Sequence, residues 1–253
     1  MKRLALVATA ALAACSAPPM MTADAGPDTS CGLDCDVQNR LGLIVNRCFE
    51  YSGDPDKMPL NPPTLGMQVK PVLTLEGGVK VLPLEFRQNG AARMIDNLGI
   101  VNGEVRLMRR EFLQTGQSVT YRNSKNEIVG VKWTDPAMAP GETYAGSAEA
   151  YVVNSMGVGE TTSTNYKVSV FDGTITELKT PLKTYDAGLK MVFSETPDHG
   201  SDARRVLVND VGFVLISTSL QLNGTTPLAV SLQRIRDIGT PDAGTDACSL
   251  GAP

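Results

Sequence analysis

The chain has few of the residue types on which catalytic and metal sites usually depend. It contains one histidine, His199, and one tryptophan among 253 residues, and aromatic residues make up 5%. One imidazole cannot build a zinc centre held mainly by histidines. His199 lies in Asp198-His199-Gly200-Ser201-Asp202, which gathers the residue types of a catalytic triad, but triads draw on distant chain positions. We interpret this stretch of loop-forming residues as an exposed turn.

Motifs for nucleophiles, phosphates and calcium are also missing. The chain has no Gly-x-Ser-x-Gly elbow and no Ser-x-x-Lys with its partner motifs. Gly157-Val158-Gly159 is not followed by Lys-Ser/Thr or by a helix, so we predict a hairpin turn or bulge there. The Asp- and Gly-rich tails lack the spacing of a calcium-binding loop. The sequence therefore predicts no catalytic residue, no cofactor and no metal ligand.

Long apolar runs and an excess of positive charge are absent as well. No segment after residue 15 approaches 18 uninterrupted apolar residues, so no transmembrane helix is expected. The net charge is −4, which is a poor electrostatic match for nucleic acid. We expect no nucleic-acid partner.

The first fifteen residues carry the clearest signal in the chain. Lys2 and Arg3 precede an apolar run that is too short to cross a bilayer, which is typical of export. The run ends in Leu12-Ala13-Ala14-Cys15, which resembles a bacterial lipobox. The resemblance implies that residues 1–14 are a signal peptide, and that Cys15 receives a diacylglyceryl group and then usually an amino-terminal acyl chain. The alternative is an ordinary secretory signal cut near Ala14.

The segment after the lipobox predicts a flexible connection to the membrane. Residues 15–30 are rich in Pro, Ala and Asp without periodicity, which is typical of a disordered tether with a reach on the order of 20 Å. Ser16 stands where, by resemblance to known sorting signals, an acidic residue would retain the protein at the inner membrane. We therefore expect a lipid anchor at the outer membrane, where each buried methylene contributes roughly 0.8 kcal/mol.

Four cysteines remain after Cys15, and an oxidising compartment favours disulfides between them. They are Cys31, Cys35, Cys48 and Cys248. A loop of about fifteen residues, such as one closed by Cys35 and Cys48, would contribute roughly 3 kcal/mol. Cys31 would then pair with Cys248; the alternative joins Cys31 to Cys48 and Cys35 to Cys248. Metal binding is the rival interpretation, but no further ligands follow at zinc-like spacing.

The rest of the chain predicts an all-β fold. About twelve apolar-alternating runs follow one another at strand-like spacing, and no helical pattern of 10–15 residues separates them. Four dipeptides typical of two-residue hairpin turns punctuate the runs: Asn89-Gly90, Asn102-Gly103, Asp172-Gly173 and Asn223-Gly224. We predict a single antiparallel meander over residues 31–238, forming a strongly curved sheet, half-barrel or sandwich. It would have at most one short helix, near Asp36–Arg40, and a Pro/Asp/Gly tail at 239–253.

Three segments carry a second resemblance. Pro136–Tyr144 would form the start of a strand. Pro181–Val192 would form a turn followed by a strand that contains a lysine. Arg205–Val214 would form the end of a strand. These segments resemble an uncharacterised group of exported bacterial β-proteins, many of them lipoproteins. The resemblance implies a curved antiparallel sheet similar to lipoprotein-carrier folds. The chain departs from the pattern at Lys183, at Gly188 and at Arg205, and the group has no settled activity to transfer.

The basic cluster Arg106, Arg109 and Arg110 allows two interpretations. It could contact an acidic polymer or a lipid headgroup, or it could belong to solvated strand faces that discourage edge pairing. We favour solvated faces.

The sequence supports three hypotheses about function. The first is a non-enzymatic, outer-membrane-anchored lipoprotein whose β domain binds or supports another envelope component, a protein or a lipid. The second is a carrier that encloses an acyl chain or other apolar ligand in a curved sheet. The third is a hydrolase with an unrecognised site. An apolar cavity would favour the carrier, and convergent ionisable groups would favour the enzyme.

Overall fold

The computed structural model describes Leu33 and the ranges 41–53, 64–88, 91–134, 138–171, 178–179, 184–185, 189–197, 203–208, 212–220 and 228–238; range 178–179 and the last three are described by their backbone alone. The chain divides into two units, Met1–Ser30 and Cys31–Pro253, and all described residues belong to the second. The predicted signal peptide, tether, helix near Asp36–Arg40 and C-terminal tail lie outside the described residues.

Strands make up nearly all of the regular structure. Twelve strands have six or more residues, close to the number predicted: β1 Cys48–Gly53, β2 Thr64–Val69, β4 Lys80–Gln88, β5 Ala91–Val101, β6 Glu104–Phe112, β7 Gln117–Arg122, β9 Thr143–Val153, β10 Gly159–Val170, β13 Leu189–Thr196, β14 Ala203–Val208, β15 Gly212–Leu220 and β16 Leu228–Ile238. Four are shorter: β3 Leu73–Thr74, β8 Val131–Thr134, β11 Leu178–Lys179 and β12 Thr184–Tyr185. The described residues hold one short 3-10 turn, Glu76–Gly78.

All the long strands belong to one antiparallel sheet. Its order is β2-β1-β16-β15-β14-β13-β10-β9-β7-β6-β5-β4-β3, so that neighbours in space are mostly neighbours in sequence. β11 and β12 pair separately, and β8 pairs with β6 beside the main path. β2 pairs with β1 along one edge and with β4 along the other, which requires the sheet to curve. The predicted single antiparallel all-β meander is confirmed.

The hairpin dipeptides connect the meander as expected in three of four cases. Asn102 and Gly103 both have positive φ, at 51° and 78°, as a two-residue turn of the I′ class requires between β5 and β6. Asn89-Gly90 and Asn223-Gly224 lie outside the described residues, but each falls between two consecutive strands that pair with each other. Asp172-Gly173 also lies outside the described residues. The strand before it, β10, pairs with β13 and not with the next strand in sequence. The two short strands β11 and β12 lie between β10 and β13 in the sequence.

The core covers the inner face of the sheet, meaning the face that carries Leu82, Leu84 and Phe86 of β4. These side chains alternate along β4, and their cross-strand partners continue the same face from strand to strand. The largest fully buried aliphatic and aromatic side chains belong to this face or pack against it: Trp133, Tyr51, Tyr121, Phe49, Phe193, Leu41, Leu43, Met67 and Leu82. With few aromatic residues in the chain, five of its larger rings are concentrated here.

Candidate functional site

The cysteines predicted as lipidation and disulfide sites lie mostly outside the described residues. These are Cys15, Cys31, Cys35 and Cys248. Cys48 is described; it opens β1, is fully buried and is disulfide-bonded. Its partner lies outside the described residues, so the pairing scheme stays a prediction.

The three arginines of the basic cluster on β6 do not form a common patch. Arg106 donates to Glu104 at 2.7 Å, and the Nε of Arg109 lies 3.4 Å from a Glu111 carboxylate oxygen. Both are partly exposed, which agrees with solvated strand faces. Arg110 differs: its side chain is 0% exposed. The interpretation as a solvated face is therefore wrong for Arg110.

A bulge in β6 explains why Arg110 points inward. Strict alternation from the buried Leu107 would place Arg109 on the inner face. The register shifts at this point, because Leu98 of β5 lies opposite Leu107 while Asn97 lies opposite Arg109. One extra residue, Met108, is thus inserted in β6, and the face of every later residue is reversed. Arg110 then lies opposite Asp96.

Arg110 and Asp96 form a bidentate ion pair on the inner face. The Nε of Arg110 donates to Asp96 Oδ1 at 2.6 Å, and Nη2 donates to Oδ2 at 2.9 Å. Both side chains are 0% exposed. Burial alone would lower the pKa of Arg110, but the charge and hydrogen bonds of Asp96 raise it above its ordinary value on balance. The guanidinium therefore stays charged inside the protein.

A second polar pair lies in the same interior. Tyr121 of β7 donates its hydroxyl proton to Glu195 Oε2 of β13 at 2.8 Å, and both residues are buried. Burial raises the pKa of Tyr121 well above its ordinary value, and the nearby Glu195 carboxylate raises it further. Arg110 and Asp96 also act electrostatically on Tyr121. We call Asp96, Arg110, Tyr121 and Glu195 the inner polar cluster.

The chemistry open to the inner polar cluster is limited by its own pairing. Tyr121 holds its proton too firmly to act as a base near neutral pH, and Arg110 cannot release one. The Arg110–Asp96 and Tyr121–Glu195 hydrogen bonds each join two members of the cluster, and all four side chains are shielded from solvent. Such an arrangement stabilises a defined packing of β5, β6, β7 and β13. It offers no reactive group to a substrate in solution.

A second polar group lies around β8, where Tyr166 and Tyr144 belong to or pack against the core. Lys132 lies 3.4 Å from Glu104 and 4.6 Å above the ring of Tyr144. Burial raises the pKa of Glu104, but the Arg106 hydrogen bond and Lys132 together bring it below the ordinary value. Burial, followed by the hydrogen bond with Tyr144, raises the pKa of Tyr166 to about 12. Here too each charge has a partner.

The β9–β10 hairpin is strongly exposed around its connection. Its connection, from Asn154 to Val158, confirms the predicted turn at Gly157, which has a φ of 78°. Met156 and Val158 in this connection are 81% and 60% exposed. β13 pairs with β10 only from Asn165 to Val170, so Gly159–Thr164 extends past it. No strand in the described ranges pairs with this half of β10 on the side of β13.

Sequence reasoning found the arginines but not their inner partners. The sequence analysis names none of Asp96, Tyr121 and Glu195. An aspartate within the apolar-alternating run of β5 could have indicated a buried carboxylate. Among the described residues, no group of three His, Cys, Asp or Glu side chains could hold a metal ion. A search of the same residues finds no helix long and apolar enough to span a membrane. His199 lies outside the part that the structure describes.

Comparison of the chain with protein-family models, with curated proteins and with solved structures finds no match.

Proposed function

We propose that this protein is a non-enzymatic lipoprotein, anchored to the outer membrane through Cys15, whose β domain binds or supports another envelope component. The lipobox-like Leu12-Ala13-Ala14-Cys15 supports the anchor. The inner polar cluster is the observation that favours a supporting role over the two alternatives.

A carrier of an acyl chain needs a continuous apolar space inside its curved sheet. Among the described residues, the inner face holds a buried ion pair and a buried tyrosine–carboxylate pair, together with large buried core side chains such as Trp133 and Phe193. An apolar chain placed against Arg110 and Asp96 would remove no water from them and would add no hydrogen bond. These buried polar pairs therefore support a protein that acts through its surface.

A hydrolase needs ionisable groups that can reach a substrate. The strongly perturbed groups of the described residues are Arg110, Tyr121 and Tyr166; the first two pair with buried carboxylates, and Tyr166 bonds to Tyr144. Their perturbation is explained by packing and mutual pairing. This arrangement supports a structural role for the cluster.

The anchor is tested by replacing Cys15 with alanine in the full chain. The unchanged protein should fractionate with outer membranes and incorporate labelled palmitate, whereas Cys15→Ala should incorporate none and leave the membrane fraction. Cys48→Ala is the matched control, because it removes a cysteine of another predicted role and should keep the label. Membrane association of Cys15→Ala equal to that of the unchanged chain would refute the anchor.

The non-carrier part of the proposal needs a separate measurement. Native mass spectrometry of the detergent-solubilised protein should give the mass of the chain with its covalent acyl groups. A further lipid-sized mass that is lost on collisional activation would refute the proposal in favour of a carrier.

A further inference from the structure

Two connections of the described sheet have the same five-residue turn. They are Asn123–Glu127, between β7 and β8, and Asn154–Val158, between β9 and β10, and each begins with Asn-Ser. The fourth residue has a positive φ in both turns, 65° at Asn126 and 78° at Gly157. In both, the first amide donates to the fifth carbonyl at 3.0 Å, and the fourth amide donates to the first carbonyl at 2.9 Å. The two turns therefore share one hydrogen-bond pattern.

The asparagine that begins each turn holds the residues after it. Its Oδ1 accepts the amides of the third and fifth residues, at 2.9 and 3.0 Å in the first turn and at 3.0 Å for both amides in the second. Such bonds from an asparagine side chain to the following backbone are typical of turns. The third residue contributes its amide to this pattern, and it is Lys125 in one turn and Met156 in the other. The side chain of the third residue can therefore change without loss of the turn.

The exposure of Met156 separates it from the other methionines of the described residues. Its exposed fraction is 81%. Met94 is partly buried against the core, and four others are buried: Met67, Met108, Met138 and Met191. An oxidant in solution must reach the sulfur atom to react with it, so Met156 is the described methionine that it meets first.

Oxidation has opposite consequences at the two kinds of position. A sulfoxide replaces a flexible apolar side chain with a polar one, which disrupts a packed core. The Sδ of Met108 packs so closely on Gly130 that a Cβ added to this glycine would lie 2.5 Å from it, which leaves no room there for an oxygen atom on the sulfur. At Met156 the added oxygen would lie in solvent, and the turn would keep the bonds that Asn154 makes.

We propose that Met156 is a reversible oxidation site that consumes peroxides without loss of the fold. A sulfur lone pair attacks the terminal oxygen of a hydroperoxide, so that the S–O bond forms and the O–O bond breaks. The departing oxygen takes the proton of the attacked oxygen and leaves as water or an alcohol; the sulfur loses two electrons and the peroxide gains them. A methionine sulfoxide reductase returns the thioether, as two thiols become a disulfide and the oxygen leaves as water. The inference does not depend on Cys15 or on the proposed function.

The site is tested by treating the purified full chain, with its disulfides intact, with hydrogen peroxide. Digestion after glutamate separates Met156 from Met138, since Glu142 and Glu149 lie between them, and mass spectrometry locates each added oxygen. The Met156 peptide should gain the mass of one oxygen before the peptides of Met138 and Met108 do. At that stage the midpoint of urea unfolding should be unchanged, and methionine sulfoxide reductase with a dithiol should remove the gain.

Two variants serve as controls. Lys125→Met places a methionine at the third position of the Asn123–Glu127 turn, which is also exposed, and it should be oxidised at a rate close to that of Met156. Met156→Leu should take up one oxygen fewer under the same conditions, and it should unfold at the same urea concentration as the unchanged chain.

Four results would overturn the proposal. Oxidation of Met108 as fast as that of Met156 in the folded chain, or slow oxidation of Lys125→Met, would show that exposure does not select the site. A lower urea midpoint after oxidation of Met156 alone would show that the fold does not tolerate the sulfoxide. Failure of the reductase to remove the oxygen would show that the modification is not reversible.

Discussion

Replacement of Arg110 by methionine should destabilise the fold far more than the same change at its neighbour, Arg109. Methionine keeps the length of the side chain but removes the cation, which leaves the Asp96 and Glu195 carboxylates buried without it. Breaking one partner of a buried ion pair costs about 3–5 kcal/mol. For a domain of this size, that corresponds to a fall in melting temperature of about 6–20 °C.

Arg109→Met is the control, since the pair of Arg109 with Glu111 has side chains that are 34% and 30% exposed. Exposed pairs of this kind contribute about 1 kcal/mol or less. The measurement is urea unfolding of the purified chain followed by far-UV circular dichroism, with disulfides intact. If the two variants unfold at the same urea concentration, the inner polar cluster does not stabilise the fold as argued.

A double replacement distinguishes two causes of instability in Arg110→Met: the loss of a favourable ion pair, and the unpaired carboxylate of Asp96 that remains buried. Arg110→Met combined with Asp96→Leu removes both charges of the pair and fills the space with apolar groups. Buried pairs replaced in this way are often neutral or more stable. We expect the double variant to be more stable than Arg110→Met alone, and the coupling energy follows from the double-mutant cycle.

Two further predictions concern close packing and alkaline pH. Gly146→Ala should destabilise the fold by about 1–3 kcal/mol, because a Cβ there would lie 2.6 Å from the ring of Tyr166. Gly99→Ala should have a smaller effect, since its Cβ would meet the flexible end of Met108; urea unfolding of both compares them. The raised pKa of Tyr166, about 12, means that its stabilising contribution is complete below about pH 10 and declines as pH rises toward 12. Unfolding at pH 9 and 11 should show a smaller loss of stability for Tyr166→Phe than for the unchanged chain.

The fold class was predictable because its signals are local. Alternation along Leu82, Leu84 and Phe86 marks a strand with one core face, and a dipeptide such as Asn102-Gly103 supplies the two positive φ values of a tight turn. Both depend only on neighbouring residues. Asp172-Gly173 was less informative, because a turn signal gives the end of a strand and not the identity of its next partner.

The inner polar cluster was not predictable for two physical reasons. A bulge arises from a mismatch of register between two strands, so the alternation in β6 alone could not show that Arg110 would exchange faces with Arg109. Tyr121 and Glu195 are 74 positions apart in the chain, and they meet because β10 pairs with β13 on one side and β9 on the other. Contacts of this kind depend on the strand order of the whole sheet.

The same bulge connects the interior of the protein to its proposed mode of action. Because Met108 shifts the register, Arg110 faces the interior in place of Arg109 and lies opposite the buried Asp96. A buried ion pair demands fixed geometry from every strand that contributes to it, so β5 and β6 cannot separate to admit a ligand without exposing unpaired charge. A sheet constrained in this way presents constant surfaces, which is the property that the proposed supporting role requires.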